Sequence, residues 1–164
     1  MNEKEFESIY RDYFDLVYRY VLALTHGDEN AAEELTQETF FKAMQALGGF
    51  RGDCGVRTWL CSIAKNTFLS AKRRKRPEPL DGQPERPDET DGPEALAVRR
   101  EDRSRVLHAL HALPEPYKEV FSLRVFGQLS FKEIAELFGK SESWACVVYH
   151  RARGKINMRM EEQQ

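Results

Sequence analysis

The sequence has three cysteines in 164 residues, Cys54, Cys61 and Cys146, and no two of them form a CxxC pair. An odd, scattered set supports neither a disulfide framework nor a thiolate metal site, and it fits a reducing compartment. Long apolar stretches are also missing. The longest, Trp144 to Tyr149, has six residues, against the roughly 18 needed to span a bilayer. The opening Met-Asn-Glu-Lys-Glu-Phe lacks the basic and apolar pattern of a secretory signal, so a cytoplasmic protein without membrane insertion is expected. No Ser/His/Asp set, phosphate-cradling glycine loop or convincing carboxylate pair appears, which argues against an enzyme and against a cofactor. His108 and His111 stand three apart on a helical pattern but have no third ligand nearby, so surface or packing roles, not metal binding, are expected.

The length allows one ordinary domain or two small ones. Apolar residues at 41% and charged residues at 32% suit helical cores better than extensive sheets. The net charge of −2 conceals a partition. Residues 1–76 carry 12 basic and 11 acidic side chains, residues 77–94 carry one and seven, and residues 95–164 carry 12 and nine. The acidic middle holds five of the seven prolines, with Leu80 as its only large apolar residue. It cannot bury a core and reads as a flexible linker. The expected fold is all-α: a helical domain over 1–76, an acidic Pro-rich linker over 77–94, and a second helical domain over 95–164.

In the first domain Phe6, Ile9, Tyr10, Tyr13, Val17, Val21 and Leu24 recur at three- and four-residue spacings until His26-Gly27 ends a first helix. Asp28 is placed to cap a second, whose stripe is Ala32, Leu35, Thr39, Ala43 and Leu47 before Gly48-Gly49. Phe40, Phe41 and Met44 extend past that stripe, so Phe41 at least is expected on an outer face with Gln37 and Glu38. After an irregular Phe50-Arg-Gly-Asp-Cys-Gly-Val56, a third helix opens at Arg57-Thr-Trp-Leu60 and ends in the five cations Lys72 to Arg76. Cations for phosphates beside aromatics for unpaired bases point to nucleic acid.

In the second domain Leu96, Val106, Leu107, Leu110 and Leu113 mark one helix, and Pro114-Glu115-Pro116 leads to another through Tyr117, Val120, Phe121 and Val125. Ser130 and Glu133 form a capping box with Leu129 and Ile134 at the staple positions, and Gly139 stops that short helix. A turn and a last helix from about Trp144, with Ala145, Tyr149, Ala152 and Ile156 inward, complete a helix-turn-helix pattern. Its outer face carries Glu142, Ser143, Cys146, Val147, His150 and Arg153, with Trp144, Val148 and Arg151 at the margins. Arg151 and Arg153 can reach phosphates or guanine edges, whereas the valines offer only apolar contact, for example to thymine methyls.

Two helical modules with basic terminal helices and an acidic tether resemble the extracytoplasmic-function group of bacterial sigma-70 factors, the promoter-recognition subunits of RNA polymerase. The residues that carry the resemblance are Glu34-Leu-Thr-Gln-Glu-Thr-Phe-Phe-Lys42, Phe50-Arg-Gly-Asp53, Arg57-Thr-Trp-Leu60, Ile63-Ala-Lys-Asn66, Leu113-Pro114, Ile134-Ala135 and His150-Arg-Ala-Arg153. It implies that Glu34, Leu35, Gln37, Glu38, Phe41 and Lys42 contact core RNA polymerase. It assigns minus-ten recognition and strand capture to Arg51, Asp53, Cys54, Gly55, Val56, Arg57, Lys65, Asn66, Lys72 and Arg73. It assigns minus-thirty-five recognition to Ser141, Glu142, Ser143, Trp144, Cys146, Val147, His150, Arg151 and Arg153. Many members carry a threonine or serine, a lysine and an arginine where this chain has Trp144-Ala-Cys-Val-Val-Tyr149.

The partners so implied are core RNA polymerase, promoter DNA and an anti-sigma factor. An extended 18-residue tether reaches about 60 Å, close to a promoter spacer of about 17 base pairs, so two elements can be read at once. The rival expectation is a stand-alone helix-turn-helix transcription regulator, which would bind duplex DNA without opening it.

Overall fold

The computed structural model describes residues 3–50, 52, 54–75 and 94–162. Residues 77–93 of the expected linker and two of the residues assigned to minus-ten recognition, Arg51 and Asp53, lie outside them, whereas Glu94, placed at the linker's end, already belongs to a helix. Among the described residues there are seven α-helices, one 3-10 turn and no strand. The first region contains α1 (Glu3–Leu24), α2 (Glu29–Gln45), the 3-10 turn Leu47–Gly49 and α3 (Val56–Lys75). The second contains α4 (Glu94–His111), α5 (Tyr117–Val125), α6 (Phe131–Phe138) and α7 (Glu142–Glu162).

Local chemistry explains the boundaries. The Asp28 carboxylate accepts the Ala31 N–H at 3.1 Å and starts α2. His26 and Gly27 both take positive φ in the α1–α2 turn, which glycine adopts without strain. The Ser130/Glu133 capping box is formed: the Ser130 N–H donates to Glu133 Oε1 at 2.9 Å, and the Glu133 N–H donates to Ser130 Oγ at 3.1 Å. Gly139 ends α6 in the left-handed conformation at φ 66°.

The core of the first region is built by Val17, Tyr20, Val21, Ala32, Phe40, Leu60 and Ala64 from its three helices. Buried Thr36, Thr39 and Thr67 donate their hydroxyls to the carbonyls of Ala32, Leu35 and Ile63, so the apolar faces admit them without orphaned oxygens. In the second region Leu107, Leu110, Leu113, Phe121, Ala152 and Ile156 hold α4, α5 and α7 together, and α6 packs on α7. Two placements differ from the sequence reading. Val148 is buried and not at the margin of the outer face, while Tyr149 is only half-buried, its ring between Phe121 and Phe131. α7 begins at Glu142, two residues before Trp144.

The two regions are not separate in space. Val120, Leu123, Leu129, Ile134 and Ala135 of the second continue the core of the first. Ala23 of α1 in turn packs with Leu107, Leu110 and Phe121. This closed seam positions most of the site.

Candidate nucleic-acid and partner surfaces

On α2 the periodicity separates neighbouring phenylalanines. Phe40 turns inward, with ring centroids 5.0 Å from Tyr10 and 5.9 Å from Phe14, and Phe41 turns out, 55% exposed. Exposed Glu34 and Gln37 and half-exposed Glu38 and Lys42 lie on the same helix, and Met44 and Tyr10 are large exposed apolar residues nearby in sequence or space. Leu35 is buried, so it braces α2 from beneath. Glu38 sits between Lys42 at 3.6 Å and Arg74 of α3 at 3.8 Å, which brings the basic tail of α3 against the α2 strip.

α3 carries most of the minus-ten set. Phe50 packs on Trp59 with ring centroids 4.4 Å apart, folding the irregular loop over the start of α3. Asn66, Lys72, Arg73 and Arg74 are exposed. Lys72 Nζ lies 6.0 Å from the centroid of the half-buried Phe68 ring, which packs against the core. The start of α3, however, is engaged by the second region. Arg57 Nη1 donates to the Gln128 carbonyl at 3.4 Å, and the buried Thr58 hydroxyl donates to Glu133 Oε2 at 3.1 Å. A Cβ at Gly55 would lie 3.1 Å from that same oxygen, and Gly127 packs so tightly that a Cβ there would meet Cys61 Sγ at 3.1 Å. Lys65 pairs with Glu119 at 4.0 Å.

These contacts govern the titrating groups. Burial pushes the Glu133 carboxyl up, but bonds from the Ser130 N–H, the Thr58 hydroxyl and the Ser130 hydroxyl, with the Arg57 cation, outweigh it and hold it below 4.5. Burial raises the Glu119 pKa against the pull of Lys65. Cys61 is buried at the seam and its thiol is pushed up to about 12, so it is a packing group and not a reactive thiolate. Between the regions lies a cavity of about 340 Å³ lined by Tyr20, Lys65, Asn66, Glu119, Leu137 and Phe138 among others.

At the other end of the seam His26 of the α1–α2 turn stacks on His111 of α4, centroids 4.3 Å apart, with His108 at 6.2 Å from His26. His111 Nε2 donates to the Ala23 carbonyl at 2.7 Å. Burial lowers both the His26 and the His111 pKa below 6.5; the bond to Ala23 opposes the shift at His111, and neighbouring imidazoles and lysines add to it. His111 thus packs across the seam, while His108 stays exposed beside it. Sequence reasoning missed Thr58, Gln128, Glu133 and His26 as seam residues, because their partners lie 71 to 88 positions away.

In the second region α6 and α7 form the helix-turn-helix, and Ser141 caps α7 by accepting the Trp144 N–H at 3.1 Å. Trp144 is tied down, its ring 5.3 Å from Phe138 and with Lys140 Nζ 5.9 Å above it. Glu142, Ser143, Val147, His150, Arg151 and Arg153 are exposed, and Cys146 is half-buried.

The Sigma-70 region 2 model matches residues 9–78, and the Sigma-70 region 4 model matches residues 103–156. The Bacillus subtilis RNA polymerase sigma factor YlaC is 34% identical over 158 residues, covering 94% of this chain and 91% of that protein. The chain belongs to the sigma-70 family, in its extracytoplasmic-function group. The Escherichia coli ECF RNA polymerase sigma-E factor is 36% identical over 133 residues, 74% of this chain and 66% of that one. In fold the chain is similar to the Bartonella quintana sigma factor RpoE, solved in complex with the anti-sigma factor NepR. The TM-score is 0.72 at 20% identity, over 98% of this chain and 99% of that chain. The two matched regions coincide with α1–α3 and with the end of α4 through α7, so the two halves are region 2 and region 4.

Proposed function

We propose that the chain is the promoter-specificity subunit of RNA polymerase, working in the cytoplasm with no catalysis of its own. Region 2 docks on the core enzyme through Glu34, Gln37, Glu38, Phe41 and Lys42, with Leu35 supporting them from inside α2. The loop before α3, with Val56, Arg57, Lys65, Asn66, Lys72 and Arg73 of α3, holds the unpaired minus-ten strand. α7 of region 4 enters the minus-thirty-five major groove. Flipping and unstacking a base costs a few kcal/mol, which ring contacts and phosphate pairing on α3 offset.

The observation that carries this reading is the ordered pair of sigma regions on one chain, a three-helix unit with an exposed Phe41 strip and a helix-turn-helix with an exposed α7. The closed seam adds a step. Arg57 and Lys65, both in the minus-ten set, are engaged by Gln128 and Glu119 of region 4. Region 4 must therefore swing away before the strand is held, and the tether is long enough to let it do so. An anti-sigma factor that favours the closed arrangement would block the same surfaces.

Core binding tests the reading. The purified chain is passed over immobilised core RNA polymerase, alone and as the Phe41→Ala variant. Retention of the wild type and at least tenfold weaker retention of the variant, with unchanged helicity, is the expected result. Equal retention of both would remove α2 from the docking surface.

A further inference from the structure

The face that α7 leaves uncovered is chemically unusual for a base-reading helix. Its buried side is Ala145, Val148, Ala152 and Ile156. At about 100° per residue, the opposite pole is the line Ser143, Val147, His150, Gly154. Val147 stands at its centre and is 47% exposed. Trp144, at one margin, is held by Phe138 and Lys140, and Ser141 is occupied in capping. Charge is segregated along the helix. Residues 142–149 contain Glu142 and no lysine or arginine, whereas Arg151, Arg153, Lys155 and Arg159 all fall from the middle of the helix onward.

A guanine in the major groove presents two adjacent acceptors, which are read by a bidentate arginine or lysine. The first two turns of α7 have no such group. An apolar side chain at the pole can recognise one base-edge feature there, the C5 methyl of thymine. The cations from the middle of the helix onward suit phosphates, which orient the helix without specifying sequence. We propose that Val147 is a specificity-determining residue that reads a thymine methyl in the minus-thirty-five element, and that the first two turns of α7 make no bidentate guanine contact. This rests on the reading of α7 as the major-groove helix.

The test uses holoenzyme assembled from the full chain and core RNA polymerase. Upstream elements are selected from promoters randomised in that region, and each thymine in the selected element is then replaced in turn by deoxyuridine, which deletes only the methyl. At one thymine the replacement is expected to weaken wild-type binding about fourfold, the worth of one buried methyl group. Val147→Ala should lose a similar factor on the unmodified element and show no further loss with deoxyuridine, while retaining core binding and helicity. Val147→Lys should shift the selection toward guanine at that position. The proposal is overturned if no thymine is sensitive to methyl loss, or if Val147→Ala selects the same element with the same sensitivity; the apolar face would then belong to a protein partner. A holoenzyme that enriches no upstream element, while a control sigma factor does under the same conditions, overturns the underlying reading of α7 instead.

Discussion

Replacing Thr58 by valine removes one hydroxyl and almost no volume, and it acts on the bond that joins region 2 to region 4. The Thr58 hydroxyl donates to Glu133 Oε2 at 3.1 Å, while Glu133 Oε1 serves the capping box of α6. One carboxylate thus starts a helix and clasps its neighbour region. A hydrogen bond to a charged group is worth about 1.5–3 kcal/mol when buried. Glu133 is only partly buried, so water replaces part of the loss and about 1 kcal/mol is expected. The seam then opens roughly fivefold more often. Urea unfolding of wild type, Thr58→Val, Glu133→Ala and the double variant isolates the contact, because alanine leaves nothing to bond Thr58 and the loss of the capping box is common to both alanine variants and cancels. A coupling near 1 kcal/mol should appear, together with tighter binding of single-stranded minus-ten DNA by Thr58→Val, since Arg57 is released. Energies that add to within about 0.3–0.5 kcal/mol would show that the clasp is not made in solution, and with it the closed seam as described would fall.

Acid should loosen the other end of the seam. His26 and His111 have pKa values held below 6.5 by burial. The unfolded chain therefore takes up protons first, and stability should fall as pH drops from about 7 toward 5. His26→Asn, which keeps a residue tolerant of positive φ, should flatten that part of a thermal-midpoint profile; an unchanged slope would clear the imidazole stack of the effect. Glu133 has the opposite sense. Its stabilisation is complete above its ordinary 4.5 and is lost as pH falls through its lower folded value, so Glu133→Gln should remove an acid-side loss of stability seen in wild type. Phe40→Ala should cost about 3–5 kcal/mol through the cavity it leaves. Phe41→Ala should change stability by no more than about 0.5 kcal/mol, and equal destabilisation by the two would contradict their opposite orientations. Gly139→Ala should cost about 1 kcal/mol by forcing a side chain into the left-handed conformation, read as a drop of several degrees in thermal midpoint.

The local grammar of the chain was legible. Ser130 with Glu133, Gly139, Asp28 and the spacing of Val17, Val21 and Leu24 are signals confined to a turn or two, and each element formed where its signal lies. Phe41 was expected outside and is. The register of α7 was less clear, because Trp144 to Tyr149 is an unbroken apolar run with no period of its own. Packing on α5 and α6 chose Val148 over Tyr149 for burial. The seam was not legible at all. Thr58 and Glu133, Arg57 and Gln128, or His111 and Ala23 meet across 71 to 88 residues, and nothing in either local stretch names the other. The buried Cys61 beside Gly127 belongs to the same class, where a small residue on one helix makes room for a backbone far along the chain.

Run-off transcription by purified core RNA polymerase, with and without this chain, on promoter fragments from its own genome tests the central claim directly. Discrete start sites that appear only when the chain is present, and that disappear with Phe41→Ala, are the result expected of a promoter-specificity subunit. Binding of the chain to duplex DNA without any dependent transcript, from a core enzyme shown to work with another sigma factor, would contradict it and leave a stand-alone helix-turn-helix regulator.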